Sequence, residues 1–169
     1  MPLTLLQTKL YIPVLRSQYV ARPAVTAKLQ DATTVPLTLV AAPAGFGKTT
    51  LVSEWTAQRD QPVAWLSLDD EDNDPSRFFT YLVVALRTLY PQLGDATLAA
   101  LHALQLPPPI ALLTPLINEL SQLVEPFTLV LDDYHLITAQ PIHDALTFLV
   151  EHGPPALHLI LTTRIDPPL

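Results

Sequence analysis

The chain has no cysteine, only four glycines, and charges on just 15% of its 169 residues. Without thiols there is no disulfide framework and no thiolate metal site, a composition compatible with the cytoplasm. Nine Lys and Arg against sixteen Asp and Glu leave a formal net charge of −7. So few cations cannot cover a phosphate backbone, which argues against direct nucleic-acid binding by this chain. No apolar run reaches the roughly 18–20 residues that a bilayer requires. The opening "MPLTLLQTKLYIPVLR" lacks a basic start, a sustained apolar stretch and a small-residue cleavage site. Neither a membrane span nor a signal peptide is read, and the expected location is cytoplasmic.

What the chain does have is apolar residues, 49% of the total with a mean hydropathy of +0.30, and 18 prolines. Its length suits one domain with a real core. Residues 1–35 read as an extended N-terminal segment with a short helix, and residues 36–169 as the core. Three segments, "PLTLVAA" (36–42), "FTLVLDD" (127–133) and "LHLILTT" (157–163), are apolar throughout rather than alternating. That is the pattern of parallel strands covered on both faces. "PVAWLSL" (62–68) is a weaker fourth. Helical patterns fall between them, at 48–58, 75–89, 110–124 and 141–153. The second has the clearest start: Asp74 as N-cap, Pro75 at the first helical position, and Phe78, Leu82, Val83, Leu86 and Leu89 at helical spacing for the sheet. Gly153 and two prolines end the last one. Strands alternating with helices predict an α/β three-layer fold with a mostly parallel sheet.

Three stretches carry chemistry. "AAPAGFGKTT" (41–50) follows an expected strand and opens an expected helix, the setting of a phosphate-binding loop. Such a loop curls its N–H groups around an anion in front of a helix N-terminus. Gly45 and Gly47 permit the curl, Lys48 reaches the outer phosphates, Thr49 offers a hydroxyl to Mg²⁺, and Thr50 lies at the inner phosphate. Pro43, Ala44 and Phe46 complete the cradle, the Phe46 side chain being expected to pack. Ala42 stands where the strict pattern has glycine, and a left-handed conformation there would cost about 1–2 kcal/mol. The loop therefore works only if Ala42 keeps an ordinary negative φ. The second stretch, "FTLVLDDYH", ends a strand with Asp132, placed to hold Mg²⁺ through water, and Asp133, placed to polarise the attacking water. Asp133 is a short acid, so hydrolysis is expected to be slow. The third, "LILTTRIDPP", sets Thr162, Thr163 and Arg164 either at the edge where a terminal phosphate belongs or in a strand-end turn with a solvated arginine.

Other polar residues read more simply. The acidic run "DDEDND" (69–74) is taken as caps and helix-dipole partners. No histidine has ligand spacing with other donors, and His135 alone falls near the site. The segment with Arg16 and Arg22 either crosses a nucleotide's base or covers the sheet.

Together these stretches resemble the signal-transducing P-loop ATPases of the STAND class, most nearly the ATPase module of the maltose-regulon-activator and large LuxR-type ATP-dependent transcription regulators. "TKLYIPVLRSQYVARP", "APAGFGKTTLVSEW", "VAWLSLDDEDNDPSRFFTYLVVAL", "LVLDDYHLITAQPIHDALTFLVEH" and "LILTTRIDPPL" carry the resemblance across nearly the whole chain. The family commonly has "APAG" or "SPAG" at the Ala42 position. The resemblance implies an ATP/ADP switch with Mg²⁺ that self-associates when ATP-bound and resets by hydrolysis. It assigns Gly45 to Thr50 to the phosphates, Thr49 and Asp132 to Mg²⁺, Asp133 to the water, Arg164 to phosphate sensing, and Arg22 to the base. It also implies a fifth strand beside residues 37–41, a helical lid, an inducer domain and a C-terminal helix-turn-helix, none of which is read here. Two other classes stay open from the residues: a free-standing P-loop kinase or ATPase for a small molecule, and a remnant that binds nucleotide poorly.

Overall fold

The computed structural model describes residues 4–169. Four strands, β1 (Leu37–Ala41), β2 (Val63–Ser67), β3 (Phe127–Asp132) and β4 (Leu157–Thr163), form one parallel sheet in the order β1-β4-β3-β2. Among the described residues six α-helices connect or flank them: α1 (Pro23–Asp31), α2 (Lys48–Ala57), α3 (Pro75–Arg87), α4 (Asp95–Leu101), α5 (Pro109–Leu120) and α6 (Gln140–His152). This is the α/β layering that the alternating pattern predicts.

Every residue of β3 and β4 is buried, as continuous apolar runs require. Side chains alternate along each strand, so the sheet has two different faces. One face presents Phe127, Leu129 and Leu131 of β3 with Leu157, Leu159 and Leu161 of β4 to a large cluster completed by α3 to α6. The other presents Trp65, Val130 and Ile160 to Leu29 of α1 and to Leu51, Val52 and Trp55 of α2. The second face also carries the buried polar residues Thr128, Asp132, His158 and Thr162. Strand β1 lies at the sheet's edge and is only half-covered, with Leu39 42% exposed.

Local signals explain most boundaries. Asp74 caps α3 by accepting from the Arg77 N–H at 2.8 Å, with Pro75 in the first turn. The acidic run before it folds into a 3-10 turn (Asp70–Asn73) with a capping box between Asp69 and Asp72. Phe78, Leu82, Val83 and Leu86 of α3 are buried, and so are Phe79 and Tyr81. Two boundaries and one whole element differ from expectation. Helix α5 stops at Leu120 rather than near residue 124, in a turn where Gln122 N–H bonds the Glu119 carbonyl. Strand β3 stops at Asp132 because Asp133 adopts φ 60°, outside any strand. Helix α4 was not anticipated. It starts from Gly94 in the left-handed region at φ 76°, and its short alanine-rich sequence has little amphipathic pattern.

The N-terminal segment is tied to the core by charge. The Lys9 ammonium, buried under a 3-10 turn (Gln7–Leu10), binds Asp69 at 2.8 Å and the fully buried Asp72. Arg77 Nε reaches Asp72 from the other side at 3.1 Å, and the Tyr81 ring centroid lies 4.5 Å from the ammonium. Nothing in the spacing of the sequence pairs Lys9 with acids some sixty residues away. Among the described residues no helix is long and apolar enough to cross a membrane.

Candidate functional site

The loop after β1 settles the question of Ala42. Its N–H donates to the Thr163 carbonyl at 3.2 Å, one step beyond the β1–β4 ladder. The only residues of the loop in the left-handed region are Gly45 (φ 81°) and Gly47 (φ 75°). Ala42 therefore needs no glycine. A Cβ placed on Gly45 would meet nothing within 4 Å, so the loop faces open space there.

Lys48 opens α2 and is buried, its ammonium donating to the Ala42 and Pro43 carbonyls at 2.7 and 3.2 Å. The next residue, Thr49, donates its hydroxyl to the Asp132 carboxylate, 2.9 Å from Oδ1 and 3.0 Å from Oδ2. The loop and the end of β3 thus converge at the C-terminal edge of the sheet, where open α/β sheets bind ligands. Burial pushes the Asp132 carboxyl above the usual carboxylate range, and the neighbouring Asp133 charge adds to it. Hydrogen bonds from Thr162 and Thr49 oppose that rise.

Asp133 sits beside this pair with φ 60°, the one non-glycine residue with positive φ among the described residues. Such a conformation costs of order 1–3 kcal/mol and persists only where neighbours hold it. Asp133, Lys48, Thr49, Gly45, Gly47 and the exposed Arg164 line a cavity of about 210 Å³. His135 packs behind it, its Nδ1 3.9 Å from an Asp133 oxygen and both ring nitrogens without a hydrogen-bond partner among the described residues. Burial depresses its pKa, with the Asp133 charge working against that.

On the other side of the loop a larger groove of about 690 Å³ runs between residues 13–22 and helix α2, with Thr49, Thr50 and Gly47 on its wall. Arg22 borders it, and its guanidinium donates to the Phe46 carbonyl at 2.8 Å. The Phe46 side chain does not pack as expected: it is 56% exposed, and the bond from Arg22 reaches its carbonyl. The structure brings together Gly45, Gly47, Lys48, Thr49, Asp132, Asp133 and Arg164, while Thr50 and Arg22 face the groove. What the sequence did not reveal is the bonding of Thr162, whose hydroxyl donates to the Asp132 carboxylate and accepts from the Asp133 backbone N–H. Only the pairing of β3 with β4 could have signalled it.

The donor set suits a hard cation bound with an anion. It offers a hydroxyl and a carboxylate oxygen, with an ammonium and left-handed glycines for the phosphates. Among the described residues no cluster of three or more His, Asp or Glu competes for a metal. The chain belongs to the AAA ATPase domain family, whose model matches residues 20–162. Within that class it is similar to the HTH-type transcriptional regulators MalT of Serratia proteamaculans and Yersinia enterocolitica, 42% and 41% identical over 165 residues. The resemblance to maltose-regulon activators therefore holds over 98% of this chain, which spans 18% of the length of either relative. Solved structures with some likeness include C. elegans PCH-2 (TM-score 0.37, 13% identity, 87% of this chain and 37% of that one). Another is Thermomonospora curvata EccC, ATPases 2 and 3 (TM-score 0.35, 21% identity, 78% and 25%).

Proposed function

We propose that this chain is the nucleotide-binding switch module of a signal-transducing transcription regulator of the STAND class, binding ATP or ADP with Mg²⁺ and hydrolysing ATP slowly. The observation that carries this reading is the Thr49–Asp132 pair, held at the mouth of a glycine loop with Lys48 buried beneath it.

Each residue has a role its position supports. The N–H groups from Gly45 to Thr50 face the phosphates, with the α2 N-terminus adding its partial positive charge. Lys48 exchanges two carbonyl contacts for the outer phosphates, so that the acceptor as well as the donor is charged. Thr49 and Asp132 would hold Mg²⁺, which supplies charge neutralisation between the phosphates when bound. Asp133, partly exposed at its tip, orients and polarises the water, and Arg164 reads the terminal phosphate across the same cavity. The groove beneath residues 13–22 takes the nucleoside, with Arg22 bracing the loop from outside.

The module acts in the cytoplasm within a longer protein. The half-covered β1 edge suits a fifth strand and a lid from that protein, along with inducer and helix-turn-helix domains, and self-association of the ATP form. Titration of ATP and ADP against wild type and Lys48→Ala tests the reading: a loss of about tenfold or more is expected. Equal affinity would sink it. Transfer of phosphate to a small acceptor instead of water would mark a kinase.

A further inference from the structure

Two buried threonines lie on the same face of the sheet, and they differ in one respect. Thr128 of β3 is fully buried and its hydroxyl has no hydrogen-bond partner among the described residues. Thr162 of β4 is equally buried, and its hydroxyl both donates and accepts. Its O–H donates to Asp132 Oδ1 at 2.5 Å, and its oxygen accepts the Asp133 N–H at 2.9 Å. A hydroxyl has one proton and two lone pairs, so a single atom can serve both acids at once. The β3–β4 register, which pairs Leu131 with Leu161, is what brings Thr162 alongside Asp132.

We infer that Thr162 is a positioning residue that aims both acids of the site, through one hydroxyl, before any ligand arrives. This rests on the nucleotide reading above. Asp132 is held from two sides, by Thr49 of α2 and by Thr162 of β4. Of these, Thr49 is the group that would also serve Mg²⁺, so Thr162 is the contact that keeps the carboxylate aimed independently of the metal. The bond to the Asp133 N–H fixes the next residue where the chain leaves the strand in a left-handed turn. That turn carries the Asp133 side chain into the cavity with Lys48 and Arg164 instead of along the strand. Thr162 touches neither phosphate nor water in this scheme; it acts through the two acids.

The experiment compares the full chain with Thr162→Val, Thr162→Ser and Thr128→Val. Three quantities are read: hydrogen exchange at the Asp133 amide without nucleotide, ADP affinity in EDTA and in Mg²⁺, and the melting temperature. Thr162→Val should exchange the Asp133 amide at least about tenfold faster and lose about tenfold of the Mg²⁺-dependent gain in affinity. Its affinity in EDTA should stay within about twofold of wild type. Thr162→Ser should restore both, and Thr128→Val should change neither. Thr162→Ala takes the place of the valine variant if that one does not fold. Retained amide protection and Mg²⁺ gain in the valine variant would overturn the inference, as would a serine variant that behaves like valine. If wild type binds no nucleotide, the functional reading falls, and the exchange arm still decides whether Thr162 holds Asp133.

Discussion

Replacing Lys9 by methionine should cost this fold about 3 kcal/mol, although Lys9 lies far from the phosphate loop in sequence. The Lys9 side chain is 6% exposed and its ammonium serves Asp69 and Asp72, the latter with no exposed surface. Breaking a buried ion pair by removing one partner costs roughly 3–5 kcal/mol, because a carboxylate is left buried without its counter-charge. Here Asp72 keeps Arg77 Nε at 3.1 Å and the Asp69 N–H at 2.9 Å, which places the cost at the lower end. Methionine retains the apolar stem, so little of the loss is packing. With a urea m-value of about 2 kcal/mol/M, the midpoint should fall by about 1.5 M. The buried Trp55 and Trp65 provide the fluorescence signal. Adding Asp72→Asn should recover part of the loss, since the stranded charge is then gone. A midpoint within about 0.3 M of wild type would refute the claim that this ion cluster anchors the N-terminal segment.

Gly94→Ala should destabilise by about 2–4 kcal/mol in the same assay. Its φ is 76° and a Cβ would come within 2.6 Å of Val83 Cγ1, so left-handed strain and overpacking add. At Asp133, asparagine tolerates the left-handed turn and should leave stability within about 0.5 kcal/mol, while slowing ATP hydrolysis about 100-fold in a phosphate-release assay. Isoleucine at the same position should cost about 2 kcal/mol, because a β-branched residue fits φ 60° poorly. His158 contributes to the pH dependence. Burial holds its pKa below the ordinary 6.5, against a bond to the Val35 carbonyl at 2.6 Å. A depressed imidazole pKa means stability is complete above about pH 6.5 and is lost as pH falls through the folded value. Melting temperatures from pH 7.5 down to pH 5 should decline less steeply for His158→Gln.

The strands were legible because a sheet buried on both faces leaves no choice of residue: "FTLVLD" and "LHLILTT" can hardly be anything else. The loop was legible because glycine and lysine at fixed spacing have few other uses, and both glycines are indeed left-handed. Helix α4 was hidden because its stability comes from packing, with Thr97 donating to the Leu112 carbonyl at 3.0 Å rather than from an amphipathic stripe. The Lys9 cluster and the Thr162 bridge were hidden for a common reason. Each depends on partners brought together only by tertiary folding, Lys9 with residues 69–77 and Thr162 with residues 132–133. Asp133 shows the limit most plainly: its acid was readable, its departure from the strand was not.

The two faces of the sheet are unequal, and that inequality distributes the molecule's rigidity. Among the described residues the cluster under α1 and α2 contains seven buried apolar side chains, far fewer than the cluster on the opposite face. Local opening costs least where the fewest apolar contacts are broken. The phosphate loop and α2 therefore rest on the lightly packed layer, while α3 to α6 keep the strands in register from the heavy one. The plane of the sheet thus divides a thinly packed layer, where local opening costs least, from a thickly packed one.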